Sequence, residues 1–316
     1  MRIVFMGTPE FSATILENLI GHHEVVAVFT RPDAVRGRGN KLVASPVKLL
    51  AEEAGVPVFT PRSLHDSQVI SDLALLSPDA ICVAAYGAIL PQEILDLPRY
   101  GCLNVHASRL PAWRGAAPIE HAILAGDAEA GVCIMRMEAG MDTGDYCIVR
   151  TTEIGNKNTT ELTAELADLG SSALLTALSL IEQGTVEWTK QDDFFATYAD
   201  KIVKGQFFLK SDASAVDTVR NIQASSAAHP ARAIIAGRPV TVTSAARVTS
   251  RLLRADLALE AGQAILHQKK LYLGMGDQPI EVLELKPDGK REMTGAQFAA
   301  GVPSIKQGAV WEACDV

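Results

Sequence analysis

The sequence lacks any run of about 18 apolar residues, although hydrophobic residues make up 48% of its 316 positions. Because a transmembrane helix needs a run of that length, we predict that no segment crosses a membrane. Segment 1–7 has one basic residue and an apolar stretch too short for a signal peptide, so it is more typical of a first strand. We therefore expect a cytoplasmic protein with a sizeable buried core, divided into about two domains.

Paired cysteines are also lacking, since the chain has five cysteines and no C-x-x-C spacing. Their odd number and apolar surroundings indicate reduced, buried thiols rather than disulfides. Cys102 lies in a predicted strand two positions before Asn104 and would point to the same side. A nucleophilic Cys102 is thus an alternative, but we favour a structural role because nothing else marks the thiol as activated.

Two nucleotide-binding signatures are missing. The turn after the first strand, 7–10, reads Gly-Thr-Pro-Glu and has one glycine instead of the G-x-G-x-x-G of dinucleotide sites. Segment 36–39 reads Arg-Gly-Arg-Gly and lacks the Gly-Lys-Ser/Thr ending of a P-loop. The histidines also lack H-x-x-x-H or H-x-x-E spacing, so we expect neither NAD nor a metal ion.

Acidic residues outnumber basic residues and give a net charge of −8, but the basic residues are unevenly distributed along the chain. Residues 204–316 carry 14 Lys+Arg against 11 Asp+Glu, whereas residues 1–203 have a net charge of −11. Within that acidic part, segment 31–48 holds five basic residues against one aspartate. Basic surfaces of this kind indicate a polyanionic partner such as RNA, with an ordinary solvated loop as the alternative for 31–48.

The first half of the chain contains a regular alternation of apolar strands and amphipathic helices. Segment 8–10, Thr-Pro-Glu, is predicted to open the first helix with Thr8 as N-cap. Asn158 and Glu161 resemble a capping box that opens a long helix ending near Gly184. The predicted strands cover 2–6, 24–30, 80–85, 101–106 and 132–137. This alternation indicates the α/β class, with a Rossmann-like, mostly parallel sheet and helices on both faces.

The second half of the chain has a different pattern. Residues 185–203 are polar and irregular, which is typical of a linker. Short apolar segments then alternate with turns, as at 237–239 and 274–277, which predicts a small β-barrel of the OB kind. We therefore divide the chain into a first domain at 1–184, a linker and a barrel domain at 204–316.

An apolar strand that ends in an amide and an imidazole is the most informative stretch. Asn104 and His106 are two residues apart, so a strand points both side chains to one side. Asp142 follows in a glycine-flanked turn that can hold a carboxylate rigidly. An amide that stabilises an oxyanion and an imidazole oriented by a carboxylate are suited to acyl transfer. Taken singly, the histidine and the aspartate turn are also compatible with structural roles.

Longer motifs surround this stretch. N-V-H-A-S-R-L-P-A-W-R-G-A-A-P-I begins at residue 104, and G-V-C-I-M-R-M-E-A-G-M-D-T-G-D begins at residue 131. With M-G-T-P-E-F, G-R-G-N-K-L-V-A-S-P-V-K and V-A-A-Y-G-A-I-L-P, they resemble the methionyl-tRNA formyltransferase family over roughly residues 1–184. The resemblance implies the formyltransferase fold. It also implies transfer of a formyl group from 10-formyltetrahydrofolate to the α-amine of methionyl-initiator tRNA, without a metal.

The resemblance assigns roles to individual residues near the strand end. Asn104, His106 and Asp142 match the family's catalytic trio. Positions that match the folate-contacting stretch and the wall of the pterin pocket are Ser108, Arg109, Leu110, Pro111, Tyr86 and Ile89. These matches imply that 10-formyltetrahydrofolate is the co-substrate.

The resemblance also covers the basic loop. Arg36, Arg38 and Lys41 fall in the inserted loop with which the family contacts the tRNA acceptor arm. The chain departs from the family at Arg109, which replaces the first leucine of Ser-Leu-Leu-Pro and adds a charge near the folate site. The match thins beyond about residue 200, which leaves open how the second domain binds tRNA.

Two alternative functions remain at this point. A formyltransferase that acts on an amino-sugar nucleotide would use the same trio, but its small acceptor would not require the cationic segment 31–48. An RNA-binding or folate-sensing protein would bind substrate without turnover. We expect the protein to be a monomer.

Overall fold

A computed structural model describes residues 1–35 and 42–314 of the chain. These residues form two compact units. The first unit comprises 1–118, 129–153 and 163–199, and the second comprises 119–128, 154–162 and the residues from 200 onward. The predicted limits of the first domain, the linker and the barrel domain stay a prediction.

The strands of the first unit are β1 (Arg2–Gly7), β2 (Glu24–Phe29), β3 (Ala34–Val35), β4 (Leu42–Val43), β5 (Val58–Phe59), β6 (Ala80–Ala84), β7 (Cys102–His106), β8 (Arg114–Gly115), β9 (Glu129–Arg136), β10 (Tyr146–Glu153) and β11 (Tyr198–Ala199). The strands of the second unit are β12 (Arg232–Ile235), β13 (Arg238–Arg247), β14 (Gln263–His267), β15 (Lys270–Leu273), β16 (Ile280–Pro287), β17 (Met293–Thr294) and β18 (Ala309–Glu312).

The described helices, in chain order, are α1 (Glu10–Ile20), α2 (Pro46–Glu53), α3 (Ser67–Leu75), α4 (Gln92–Leu95), α5 (Pro118–Ala125), α6 (Thr159–Gln183), α7 (Ala215–Ala224), α8 (Arg251–Leu257), α9 (Gly295–Ala300) and α10 (Pro303–Lys306). A short 3-10 helix covers Asp193–Phe195.

The main sheet of the first unit has the strand order β10-β9-β7-β6-β1-β2-β5. Neighbouring strands from β7 to β5 are parallel, whereas β9 and β10 are added antiparallel. The strands β1 and β6 are buried over almost their whole length, as expected for parallel strands covered on both faces. The predicted Rossmann-like, mostly parallel sheet is confirmed.

Helix α6 packs closely on strands β7 and β9 of this sheet. A Cβ atom at Gly170 would lie 2.7 Å from Cγ1 of Val105 on β7 and 3.3 Å from Cγ2 of Val132 on β9. The missing side chain therefore lets the helix backbone approach both strands. By length and composition alone α6 is apolar enough to cross a membrane, but half of its most apolar window is buried inside the protein, which is typical of a core helix.

The two predicted helix starts have different outcomes. Asn158 and Glu161 form the predicted capping box, because each side chain accepts a hydrogen bond from the backbone N–H of the other residue at 2.9–3.0 Å. The prediction for Thr8 was wrong, since α1 begins at Glu10 and its N-cap position is Pro9. Thr8 Oγ1 instead donates to the carbonyl oxygen of Tyr86 at 3.1 Å, so a tertiary contact takes the hydroxyl.

The second unit contains the predicted barrel. Its strands are hydrogen-bonded in the order β13-β12-β18-β14-β15-β16-β17, and β13 also pairs with β16. That additional pairing closes six antiparallel strands into a ring, with β17 attached to β16. Trp311, Tyr272 and Leu285 are fully buried and provide large apolar side chains for its core.

Candidate active site

The candidate site starts at the carboxyl end of β7. Asn104 lies opposite Val83 of β6 and Met135 of β9, while His106 is the last residue of the strand. The pleat therefore directs both side chains to the same side of the sheet, as predicted. In the described part of the chain, the Asn104 amide forms no hydrogen bond, so its donors are available to a substrate oxygen.

The imidazole of His106 has a defined orientation. Its ring is buried, and Nε2 lies 3.0 Å from the carbonyl oxygen of Trp113. Because a carbonyl oxygen can only accept a hydrogen bond, Nε2 carries a hydrogen in this arrangement. Nδ1 faces the carboxylate of Asp142, with 3.7 Å between Nδ1 and Oδ2. Nδ1 is therefore the ring nitrogen that is left to gain or lose a proton.

The carboxylate of Asp142 is held by backbone. Its Oδ2 atom accepts a hydrogen bond from the N–H of Gly115 at 2.9 Å. Asp142 itself has φ +53°, in the left-handed region that residues other than glycine rarely adopt. The structure thus brings Asn104, His106 and Asp142 to one end of the sheet, although Asp142 comes 36 residues after His106 in the chain.

The loop after β7 supports the histidine. Ser108 is buried, its N–H donates to the carbonyl oxygen of His106 at 2.9 Å and its Oγ donates to that of Ala112 at 2.6 Å. Leu110 is buried against Cys133 and Met135 of β9. Ser108 and Leu110 therefore stabilise the conformation of this loop through buried contacts.

Arg109 and Pro111 complete that stretch. The guanidinium of Arg109 donates to Glu129 at 3.0 Å, and its aliphatic part passes over Gly131, where a Cβ atom would lie 2.4 Å from Cγ of Arg109. The charge that this chain adds at position 109 is thus paired with an acidic partner on β9. Pro111 is half-buried and follows a cis peptide bond from Leu110.

The predicted pterin-wall residues lie after β6. Tyr86 is buried in an apolar cluster with Val83 and Leu90, and burial raises the pKa of its phenol. Within the described residues the Tyr86 hydroxyl has no hydrogen-bond partner. Ile89 is 82% exposed and so is accessible to a ligand.

The predicted tRNA-binding residues Arg36, Arg38 and Lys41 lie outside the described residues. The strands on either side of them, β3 and β4, pair antiparallel with Ala34 opposite Val43 and Val35 opposite Leu42.

The thiol beside Asn104 does not have the properties of a nucleophile. Cys102 is buried and its Sγ contacts the carbonyl oxygen of Ile94 at 3.6 Å. Burial raises the pKa of the Cys102 thiol to about 12, so it stays protonated at neutral pH. The structural interpretation of Cys102 therefore holds over the nucleophilic one. In the part of the chain that the structure describes, no three His, Cys, Asp or Glu side chains are grouped as metal ligands.

Sequence reasoning missed the residues that support the site from segment 185–203. Arg114 is 2% exposed, and its Nε donates to Oε1 of Gln191 at 3.0 Å. Thr197 Oγ1 accepts a hydrogen bond from the N–H of Trp113 at 2.9 Å. The motif W-R-G offered a signal for Arg114, but the polar composition around Gln191 and Thr197 offered none.

Gly115 shows why glycine is needed in that motif. A Cβ atom at Gly115 would lie 2.6 Å from the carbonyl oxygen of Ala199, and its φ is +122°. Strand β8 pairs with β11 at this point, with Gly115 opposite Ala199. The close approach positions the Gly115 N–H that binds Asp142.

An open α/β sheet that presents an amide, an imidazole and a carboxylate at one end has the groups that suit acyl-type transfer. The family model described as formyl transferase matches residues 1–178, and that of the formyl transferase C-terminal domain matches residues 201–303. The chain therefore belongs to the formyl transferase family.

The chain is also similar to individual curated formyltransferases. The chain is 41% identical over 302 residues to the methionyl-tRNA formyltransferase of Hydrogenovibrio crunogenus, covering 95% of each chain. It is 49% identical over 226 residues to that of Pseudomonas fluorescens, covering 71% of each.

Solved structures show the same fold at low identity. HypX from Aquifex aeolicus in complex with tetrahydrofolic acid superposes with a TM-score of 0.61 at 17% identity, covering 95% of this chain and 47% of that one. An N-formyltransferase from Helicobacter canadensis in complex with folinic acid and dTDP-3-aminofucose superposes with a TM-score of 0.61 at 14% identity, covering 89% and 98%.

Proposed function

We propose that this protein transfers the formyl group of 10-formyltetrahydrofolate to the α-amine of methionyl-initiator tRNA. The observation that carries the proposal is the match to a methionyl-tRNA formyltransferase at 41% identity over 95% of both chains. The arrangement of Asn104, His106 and Asp142 supports the same reaction type. The product, N-formylmethionyl-tRNA, is used in translation initiation.

Asn104 stabilises the negative oxygen that develops during transfer. When the neutral amine attacks the formyl carbon, an N–C bond forms and the carbonyl oxygen takes up negative charge. The Asn104 amide projects from the end of β7 and makes no other hydrogen bond in the described residues, so its N–H groups can donate to this oxygen. Removal of one such donor typically lowers the rate by about 10²–10³.

His106 moves the proton that the attacking amine must lose. Nε2 is occupied by the carbonyl oxygen of Trp113, so Nδ1 accepts this proton and returns it to N10 of the folate as the C–N10 bond breaks. The proton leaves one substrate and ends on the other, and His106 is unchanged at the end. General acid–base catalysis of this kind typically contributes about 10²–10⁴ in rate.

Asp142 lies on the same side of the ring as that nitrogen. Its Oδ2 atom is 3.7 Å from Nδ1 and accepts a hydrogen bond from Gly115, so it orients the ring and faces the proton when Nδ1 carries one. A gap of 3.7 Å is too long for a direct hydrogen bond. A water molecule or a substrate atom therefore completes the contact in the reacting complex.

We assign the two substrates to different groups of residues. Residues that we assign to the folate are Tyr86, Ile89, Ser108, Arg109, Leu110 and Pro111. The exposed side chain of Ile89 offers an apolar contact to a ligand, while Tyr86 is buried in the apolar cluster with Val83 and Leu90 and supports this segment from within. Arg36, Arg38 and Lys41 supply the cationic contact to the acceptor arm, because fixed positive charges bind phosphates.

The decisive experiment is a formyl-transfer assay with 10-formyltetrahydrofolate as donor. Charged initiator tRNA, charged elongator methionyl-tRNA and an amino-sugar nucleotide serve as parallel acceptors. We expect formylation of the initiator methionyl-tRNA and little of the other two. Preferred transfer to the sugar nucleotide would establish the alternative function, and binding of both substrates without turnover would exclude an enzyme.

A further inference from the structure

We propose that Gln191 is a positioning residue that clamps the Asp142 turn for proton transfer, an inference that rests on the proposed function. Gln191 lies in segment 185–203, whose composition is that of a linker, yet its side chain is only 6% exposed. A primary amide that is buried must find partners for its donors and its acceptor. The identity of those partners shows what Gln191 does.

Every polar atom of the Gln191 side chain is used. Nε2 donates to the carbonyl oxygens of Asp142 at 2.8 Å and of Gly144 at 2.7 Å, while Oε1 accepts from Nε of Arg114 at 3.0 Å. A guanidinium only donates and a carbonyl oxygen only accepts, so these partners determine which end of the amide faces the turn. A carboxylate at position 191 would instead face two carbonyl oxygens.

Arg114, a residue of β8, links Gln191 to the backbone segment that contacts His106 and Asp142. Its side chain is 2% exposed, and Nη2 donates to Asp193 at 2.8 Å. Its neighbours in the chain supply the carbonyl oxygen that binds Nε2 of His106 and the N–H that binds the Asp142 carboxylate. Gln191 therefore joins the segment that orients the imidazole to the turn that carries the carboxylate.

The turn needs such a clamp because its conformation is unfavourable. Asp142 has φ +53°, where a side chain crowds the backbone, and no regular strand or helix covers residues 140–145. A Cβ atom at Gly144 would lie 1.9 Å from the carbonyl oxygen of Arg136, so the turn is also pressed against β9. The hydrogen bonds to the carbonyls on both sides of Thr143 hold the one conformation that directs the carboxylate at Nδ1 of His106.

The test compares Gln191→Met, which keeps the side-chain length but loses all hydrogen bonds, with Gln183→Met as control. Gln183 is exposed at the end of α6 and donates to Oγ of Ser179 at 2.9 Å. For Gln191→Met we expect kcat to fall by about 10- to 100-fold, because small displacements of a reacting group have effects of that size. We expect KM for both substrates to change less than about twofold, and Gln183→Met to behave like the parent.

A second comparison separates positioning from general structural damage. In an Asp142→Asn background, Gln191→Met should lower kcat by less than about a further twofold, because the two residues act through one carboxylate. Full multiplication of the two single effects, or a parent-like kcat for Gln191→Met, would overturn the proposal.

Hydrogen–deuterium exchange provides a readout that does not depend on turnover. Amides in 140–145 should exchange at least about tenfold faster in Gln191→Met than in the parent, while exchange in β1 and β6 stays the same. Unchanged exchange in 140–145 would overturn the clamp even if the parent enzyme does not act on methionyl-tRNA. If Gln191→Met does not fold, Gln191→Glu, which keeps an acceptor for Arg114, takes its place in all three measurements.

Discussion

Each of the two units holds a histidine that faces an aspartate, and the two pairs lie in different surroundings. In the first unit Nδ1 of His106 is 3.7 Å from Asp142, and the side chains are 6% and 18% exposed. In the second unit Nε2 of His267 is 3.0 Å from Asp256, and the side chains are 28% and 60% exposed. The shorter contact is the more solvated one, and exposed pairs contribute little. Distance alone therefore does not distinguish the pair that we assign to catalysis from the other pair.

The surroundings of the two pairs differ more than their distances do. The ring of His106 has one nitrogen fixed by a carbonyl oxygen, the carboxylate of Asp142 is fixed by a backbone N–H, and Asn104 lies two residues before His106 on the same strand. Buried polar side chains follow the same division. Among the described residues, the second unit buries the polar side chains of Thr159 and Thr218, whereas those buried in the first unit are Ser12, Thr30, Ser45, His106, Ser108, Arg114, Ser171 and Gln191. The largest of these polar side chains, His106, Arg114 and Gln191, all lie around the candidate site, where their hydrogen bonds fix their orientation.

The largest expected effect tests this comparison directly. His106→Ala should lower kcat by about 10²–10⁴, because the proton relay is lost. His267→Ala, the matched change in the second unit, should leave kcat within about twofold of the parent. Steady-state formylation of methionyl-tRNA measures both. Equal losses in the two variants would show that the surroundings do not distinguish the pairs.

Arg38→Ala should have the next largest effect and should act on tRNA alone. Loss of one phosphate contact is expected to raise KM for methionyl-tRNA several-fold and to reduce the slope of log(kcat/KM) against log salt by about one. KM for the folate should not change, since the residues that we assign to that substrate lie at the main sheet. A change in the folate KM with an unchanged tRNA KM would mean that the basic loop is misassigned.

Gly170→Ala sharpens the role of close packing behind the pair. The added methyl group would meet Val105, the residue between Asn104 and His106, at 2.7 Å. The clash should outweigh the gain in helix propensity and lower the free energy of unfolding by up to about 2 kcal/mol. Gly21→Ala is the control, because its Cβ would have no neighbour nearer than 3.6 Å. Urea unfolding of the two variants measures the difference, and equal stabilities would contradict the packing argument.

The smallest effect is expected for Cys102→Ala. With a pKa of about 12, the thiol is protonated at pH 8, so the folded protein should resist alkylation by iodoacetamide at this residue. Mass spectrometry of the labelled protein checks this, and kcat of Cys102→Ala should stay within about twofold of the parent. Rapid labelling together with a large loss of activity would restore the nucleophile hypothesis.

Local patterns predicted local features well. The apolar runs identified β1, β6 and β7, and the Asn158 and Glu161 spacing identified a capping box, because each depends on residues a few positions apart. Thr8 shows the limit of such patterns. Its preference for an N-cap was real, but the carbonyl oxygen of Tyr86, 78 positions away, took the hydroxyl.

The amide and the imidazole share one side of the sheet because a strand repeats every two residues, and this followed from the order of amino acids in β7 alone. The groups that complete the candidate site come together only in the folded chain. Asp142, Trp113 and Gln191 reach His106 or its partners through contacts between segments far apart in the chain, and such contacts depend on the path of the whole backbone. The composition of a polar segment does not distinguish a linker from a segment that supports a site. Only the packed structure shows that Gln191 is buried and fully hydrogen-bonded.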